Sequence, residues 1–593
     1  MALPVQAVPR TLRAAAPIVA AAGAAVLVVQ WAGARMFWLD EEMIAINLRD
    51  HTLAQLAGPL ELGQTAPYGW LAIQRLVLLA FGTSELTLRF VPVAFGIGTL
   101  AAAIWLGRRF MTPVGAAALA FLCAAGQWLS FHALELKHYS ADAFWGLFLP
   151  ALAVWSLNGV GPGSDPGPTP IRGVGRIRPE TVDLLPWGRT RVRPGSDPDE
   201  RAETRAVDRR RILVWWIVAA CAQWLGNGAL FAAPACAAVL VVTSGRRAGT
   251  RGAIHAALPG VLWLASFALN YKVALAPALA NAFLRGYWWN AFPPADAGIA
   301  ARIVWVAQQL APLAIKPGGT GWVVTLWCAS AIGLAAAPGY DAVFRATFAL
   351  VTLSAFLWAA IGLAPMADRL ALWIVPAVYV GIAMASELAA AWLAEGIRRR
   401  RWALAAIGAT AAAWLVAFGA DIYAHGTIYV NLGRHVANHG LDDRGALAWL
   451  ARQERDTDVW VTTHDALPAW WWYAEPDARA PILEASVVPS ALACGDGELG
   501  SWLRRYHLRR VLVYLGFGHD TPEEFDDTLL ARLGSIGRIV AYRPFGSLGH
   551  AMVSELGEPS SNPPTLAALS GQPPAVRPSP REGCIAVTPA RRW

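Results

Sequence analysis

Along the first 420 residues, uncharged apolar runs of about 20 residues alternate with short polar breaks, and 20 residues is the length a helix needs to cross a bilayer. The first run, Ala14–Ala34, is too long for a signal-peptide core and no small-residue cleavage site follows it, so it reads as a retained helix. Further passes are predicted over Phe90–Gly107, Met111–Leu134 and Ala143–Val160, then two within Ile212–Gly245 broken near Asn227-Gly228. Ala253–Asn270, Gly321–Pro338, Ala346–Leu363, Leu370–Leu393 and Trp402–Ala420 complete a count of about eleven. Segment 34–89 is different. Glu41–Ala57 and Tyr68–Phe81 place apolar residues at helical spacing with Asn47, Arg49, Gln74 and Arg75 interleaved, the pattern of helices lying in the interface plane. Gln64-Thr-Ala-Pro-Tyr-Gly69 breaks one from the next.

From about Asp421 the pattern changes again. Charges become frequent, and the β-rich runs Val459–Thr462, Val511–Tyr514 and Arg538–Tyr542 alternate with helical stretches such as Asp443–Arg455, which predicts a small soluble α/β domain over 421–557. Residues 558–593 read as a Pro-rich, loosely held tail, and 161–211 (GPGSDPGPTP at its start) as a disordered insert without apolar periodicity. The expected fold is thus a polytopic α-helical membrane protein of about eleven spans with a small C-terminal α/β domain on the outer face.

Composition agrees with this pattern: 56% of residues are hydrophobic and 15% charged, against about 25% charged in a soluble chain. The net charge of +8 does not point to nucleic acid. The arginines fall in short clusters between apolar runs, Arg108-Arg109, Arg246-Arg247 with Arg251, and Arg398–Arg401, which is the positive-inside signal of cytoplasmic loops. A nucleic-acid binder would need a basic face on a folded domain. The rule puts the N-terminus inside and segment 34–89 with the C-terminal domain outside. Cys123, Cys221, Cys236 and Cys328 lie in apolar helices, where they pack. Cys494 and Cys584 share the external domain, where an oxidising compartment permits a disulfide. No cysteine spacing suggests a zinc site.

Two acidic motifs carry the candidate chemistry. Met36-Phe-Trp-Leu-Asp-Glu-Glu-Met43 sets Asp40, Glu41 and Glu42 where the chain leaves the first helix. Glu135-Leu-Lys-His-Tyr-Ser-Ala-Asp142 stands at the exit of the third, on the same side. Carboxylates near a lysine and a histidine suit proton abstraction beside an anionic leaving group. A structural ion-pair network fits the same residues, so spacing alone leaves both readings open. Glu42 is expected to face solvent or to cap the following helix. The aromatic clusters Arg285-Gly-Tyr-Trp-Trp-Asn290 and Pro468-Ala-Trp-Trp-Trp-Tyr473 either stack on sugar rings or line the lipid entry, or form an interfacial belt and domain core, and the loop 271–320 is expected to cover the substrate cavity.

The order of "LDEEMIA", "APYGWLAIQRLVLLAFG", "SELTLRFVP", "GRRF" and an acid at the next exit resembles the GT-C glycosyltransferases. The likeness is to the bacterial branch related to protein O-mannosyltransferases and lipid A aminoarabinose transferases. It covers residues 10–160 by motif and 210–420 by hydropathy. The resemblance implies transfer of a sugar, with inversion, from a polyprenyl phosphate to a lipid, glycan or protein acceptor at the outer face of a bacterial cytoplasmic membrane. It implies Asp40, with Glu41 beside it, as the acid of the first external loop and general base. Asp142 is the second acid, with Glu135 an alternative in the same segment. Lys137, His138, Arg89 and Arg369 are candidates to hold the phosphate, and Tyr139 lies among them; Arg369 is equally a snorkelling interface anchor. No metal or other cofactor is expected. One departure is that aminoarabinose transferases carry a Lys just before the proline of the interfacial helix, where this chain has Gln64-Thr65-Ala66 before Pro67. The rival reading, a transporter or flippase of lipid-linked sugars, would call for internal repeats and charges in mid-membrane, whereas here the charges sit at the surface.

Overall fold

With no water to satisfy the backbone inside a bilayer, each apolar run closes its own hydrogen bonds as a helix. The computed structural model describes residues 10–158, 208–427, 441–456, 458–474, 482–488, 494, 498–516, 529–531, 533–546, 549–557 and 584–591. The expected insert at 161–211 lies outside the described residues up to 207.

The membrane part opens with α1 (Arg10–Ala32), α2 (Leu39–Asp50), α3 (Tyr68–Phe81) and α4 (Glu85–Phe110). The turn between α3 and α4 is set by Gly82 at φ 87°, a left-handed backbone that favours glycine, and by Ser84, whose hydroxyl accepts from Thr87 N. After α5 (Pro113–Ala125) the chain bends by 55° into α6 (Gln127–Ala133), then enters α7 (Tyr139–Leu157). Next come α8 (Arg209–Ala222), α9 (Gly228–Ala257), α10 (Gly260–Asn270), α11 (Ile299–Ile315), α12 (Val323–Ala336) and α13 (Ala342–Ala360). A 3₁₀ turn, Asp368–Ile374, leads into α14 (Val375–Arg398), and α15 (Trp402–Thr427) ends the bundle. The apolar windows of α7 and α14 are each 83% buried, against 17% for α1 and 22% for α15, so α7 and α14 form the centre of the bundle.

By length and composition, seven described helical runs can cross a membrane, or eight if the bent α5–α6 pair is one span. The expected count of eleven is not reached. Of the passes expected on either side of the chain's middle, α8 and α12 hold 14 residues each, about 21 Å at 1.5 Å per residue. Gly228–Ala280 forms one apolar run, kinked at Ala248 and Gly249. The loop expected at 271–320 also contains a helix of 17 residues, α11.

The C-terminal domain is a six-stranded sheet of β1 (Asp458–Thr462), β2 (Ile482–Val488), β3 (Arg510–Leu515), β4 (Gly537–Phe545), β5 (Gly549–Leu556) and β6 (Cys584–Pro589). Its order is β4-β5-β3-β1-β2-β6, with β1 parallel to both β2 and β3 and the other pairs antiparallel. Helices α16 (Asp443–Ala451), α17 (Leu467–Tyr473) and α18 (Leu499–Arg505) accompany it. The runs read as strands at 459–462, 511–514 and 538–542 fall in β1, β3 and β4. The expected loose tail needs correcting at its end: residues 584–589 pair along β2 as an edge strand, and the Cys494–Cys584 disulfide ties that strand to the domain. Alternation in Cys-Ile-Ala-Val-Thr-Pro buries Ile585 and Val587 on the sheet, a short signal hidden behind the Pro-rich stretch before it.

The domain is seated on α2. Met43, Ile46 and Leu62 share one core with Ala446, Leu447, Leu467, Trp470 and Trp471. The Tyr473 hydroxyl accepts from Phe37 N (2.8 Å) and donates to Glu85 Oε1 (3.1 Å), and Arg444 pairs with Glu85 at 2.9 Å. Arg49 donates to Trp471 O at 2.9 Å and stacks on Trp472 at 5.4 Å. The Trp470–Tyr473 cluster therefore serves the domain core and this seam.

Candidate active site

Asp40 lies in the first turn of α2 with its side chain 22% exposed, and two cations converge on it: Lys137 Nζ at 3.3 Å and Arg369 Nη2 at 3.5 Å. Lys137 is itself buried and donates to Gln64 Oε1 at 2.8 Å, three residues before Pro67. Burial lowers the Lys137 ammonium below its ordinary range, and Asp40 offsets part of that. Arg369 enters from the 3₁₀ turn, where Asp368 takes a left-handed φ of 47°. Its guanidinium lies 5.6 Å from the Tyr139 ring and 5.5 Å from the Trp288 ring, so the 271–298 segment reaches the site through Trp288.

Glu41, next along α2, does a different job. Its carboxylate is fully buried, receives Arg89 Nε (2.9 Å) and Nη2 (2.6 Å), and accepts from Leu136 N (2.6 Å) and Trp38 N (3.0 Å). Arg89 also donates to the carbonyls of Arg35 and Met36 and stacks on Phe37 at 4.8 Å. This network fixes the start of α2 to α4 and to the 135–137 segment, and so sets the approach of Asp40 to Lys137. All of these contacts lie within the protein; the pair orients the acid that faces the opening.

The second motif divides in the same way. Glu135 is buried against His132 Nδ1 at 2.6 Å. Burial alone would raise its carboxyl, but His132, with Arg369 and Arg35 beyond it, outweighs burial and holds it down at about 2. Glu135 is thus a fixed negative charge behind Arg369. Asp142 is buried in the first turn of α7, where Oδ1 accepts from Gly228 N at 2.8 Å and caps the start of α9. Gly228 is required there, because a Cβ would stand 2.4 Å from Trp373 Cβ. His138 lies 3.7 Å from Asp142 and 3.1 Å from Asn227 Nδ2. Burial, with Lys137 and Arg369 nearby, lowers its imidazole to about 3, so it meets the site as a neutral ring.

Two further parts of the site were not anticipated. Lys316 pairs with Asp368 at 2.8 Å and lies 4.4 Å from the Trp128 ring, bringing a third cation to the turn that carries Arg369. The chain has only three lysines, at 137, 272 and 316, and two of them stand here; that scarcity was the available signal. Behind Gln64 a cavity of about 210 Å³ opens between segments 56–71 and 274–281, walled by Leu56, Leu60, Leu71 and Pro277 with Gln64 and Asn281 as polar points. Glu42, expected in solvent or as a cap, is buried at the seam with the C-terminal domain. Among the described residues no group of three or more His, Cys, Asp or Glu side chains is gathered as a metal site.

In comparisons with known proteins, no family model matches the chain and no curated protein matches it. Several solved structures are similar to it. ArnT from Cupriavidus metallidurans bound to undecaprenyl phosphate aligns at a TM-score of 0.49 and 13% identity over 90% of this chain and 97% of that one. The oligosaccharyltransferase AglB from Archaeoglobus fulgidus aligns at 0.43 and 14% identity over 90% and 74%. The arabinofuranosyltransferase AftD from Mycobacteria aligns at 0.41 and 14% over 94% and 42%.

Proposed function

We propose that the protein is a glycosyltransferase of the GT-C kind that moves a sugar from a polyprenyl-phosphate donor to an acceptor hydroxyl. The observation that carries this reading is the convergence of Lys137 and Arg369 on the partly exposed carboxylate of Asp40, at a membrane face and beside a cavity walled in part by leucines. Two fixed cations suit a phosphate, and the apolar wall behind Gln64 suits the prenyl chain attached to it. A phosphate entering between the cations competes with Asp40 for them and frees the carboxylate to act as a base.

The step balances simply. The acceptor oxygen bonds to the anomeric carbon while its proton passes to Asp40. The bond from that carbon to the phosphate oxygen breaks, and its electron pair leaves with polyprenyl phosphate, whose charge Lys137 and Arg369 meet. Attack opposite the leaving group inverts the anomeric centre. General-base assistance is typically worth about 10²–10⁴-fold, and a fixed donor to developing charge about 10²–10³-fold.

The site belongs to the extracytoplasmic face in this reading. Helix α4 runs from Glu85 near the site to Arg108-Arg109, and α14 from the Arg369 turn to Arg398, so the arginine clusters lie at the far ends. The test is turnover. Purified protein in lipid discs with a polyprenyl-phosphate sugar and a mixture of acceptors is expected to release polyprenyl phosphate. Movement of intact donor between vesicle leaflets without release would favour the transporter reading and reject this one.

A further inference from the structure

The turn that carries Arg369 is held by three contacts with the segment before α12. Met366 N donates to Ala291 O at 2.8 Å, Lys316 Nζ pairs with Asp368 Oδ2 at 2.8 Å, and the Trp288 ring lies 5.5 Å from the guanidinium. The middle contact stands on an unusual residue. Asp368 takes φ 47°, a left-handed backbone that side-chain-bearing residues other than Asn and Asp rarely adopt. Its Oδ1 accepts from Arg369 N at 2.5 Å, one of the N–H groups that the start of a helix leaves without a partner. Its Oδ2 is the oxygen that meets Lys316.

Lys316 is anchored in its turn. It follows the last residue of α11, and its ammonium lies 4.4 Å from the ring of Trp128, whose Nε1 donates to Ile315 O at 3.0 Å. Trp128 stacks on His132 at 5.8 Å, and His132 pairs with Glu135, whose charge acts on Arg369. The contacts therefore run in a circuit from Arg369 through Asp368, Lys316, Trp128 and His132 to Glu135. We propose that Asp368 and Lys316 are positioning residues for Arg369: the Asp368 carboxylate holds the turn in its left-handed form and, through Lys316, fastens it to α11 and Trp128, which aims the guanidinium at Asp40 and the donor phosphate. The proposal rests on the glycosyltransferase reading for its effect on turnover, though not for the contacts.

The Lys316 and Asp368 side chains are 37% and 29% exposed, and partly exposed pairs contribute little to stability. Losing the pair is therefore expected to leave the fold in place. What the pair fixes is direction. Arg369 Nη2 stands 3.5 Å from Asp40 Oδ2, and displacements of about 1 Å at a reacting group can cost about 10²-fold. Lys316 already holds a carboxylate, so its charge is assigned to the turn and not to the phosphate.

The experiment places Asp368→Asn, Asp368→Gly and Lys316→Met in the full-length protein in lipid discs, each with Arg369 intact and in an Arg369→Ala background. Asn tolerates the left-handed backbone and still accepts from Arg369 N, but offers Lys316 no charge; Gly keeps only the backbone. With Arg369 intact, Asp368→Gly is expected to lower kcat/KM for a polyprenyl-phosphate sugar by about 10²-fold. Asp368→Asn and Lys316→Met lose a smaller, matching factor, and the two together lose no more than either alone, since they share one contact. In the Arg369→Ala background none of them lowers the rate further, because they act through the guanidinium. Losses that persist at full size without Arg369, or wild-type turnover in Asp368→Gly, would overturn the proposal. Amide hydrogen exchange over 366–374 needs no turnover, and it is expected to be faster in Lys316→Met, a change outside that stretch, than in the wild type; equal exchange would also reject the proposal. Absence of turnover in the wild type would instead count against the glycosyltransferase reading, with exchange still deciding the turn.

Discussion

Two clusters in this molecule are built from the same parts and do opposite work. Around Asp40, a carboxylate and two cations meet at a half-exposed opening, and each cation comes from a different segment. Around Asp142, a carboxylate and a histidine are sealed against a helix break, with the histidine neutral and the carboxylate bound to a backbone N–H. The difference lies in what the backbone asks for. The break between α8 and α9 leaves N–H groups that must be satisfied inside the protein, and Asp142 answers that need. Glu41 plays the same structural part at the start of α2, where it caps Trp38 and neutralises Arg89. Asp40 is left to face the opening. An acid at a helix exit is available for chemistry only when its neighbours have met the demands of the scaffold.

The comparison can be broken first from the scaffold side. Glu41→Ala leaves the Arg89 guanidinium buried and unpaired, and removing one partner of a buried pair typically costs about 3–5 kcal/mol. Its thermal unfolding in detergent is expected to drop steeply, and Asp142→Ala to fall by a smaller step of about 1–3 kcal/mol through the lost cap. Stability equal to wild type in both would mean that these acids are not structural.

The next effect is on rate. Lys137→Ala and Arg369→Ala are each expected to lower turnover by about 10²–10³-fold while leaving the fold intact, because each removes a charge aimed at the leaving phosphate. A change confined to donor KM would make them binding groups without a share in the transition state. The smallest effect belongs to Trp288→Ala. Loss of one face of the Arg369 stack is worth about 0.5–2 kcal/mol, a few-fold to about thirtyfold in kcat/KM, and a Phe in its place should restore part of it.

Much of the framework was legible in the sequence because hydropathy and the bilayer's thickness act on whole segments. The break at Asn227-Gly228, the strands at 459–462 and 511–514, and the pairing of the acidic block with the Glu135–Asp142 motif all rest on such local patterns. The roles within the block were not legible. Asp40, Glu41 and Glu42 are consecutive, and at 3.6 residues per turn consecutive side chains point about 100° apart. One faces the opening, one Arg89 and one the C-terminal domain, and only tertiary packing says which. Glu42 was expected in solvent or as a cap for the same reason: its burial comes from tertiary packing, which no local window contains. Lys316 was visible only as one of three lysines, in a loop whose fold brings it to Asp368.

The central claim is that Asp40 is the base and the two cations hold the donor. It is tested most directly by measuring, on the same preparation of Asp40→Asn, both the binding of a polyprenyl-phosphate sugar and its conversion to free polyprenyl phosphate. Donor affinity within a few-fold of wild type together with release slowed by about 10²–10⁴-fold is the expected result. Release at the wild-type rate from the Asn variant would contradict it.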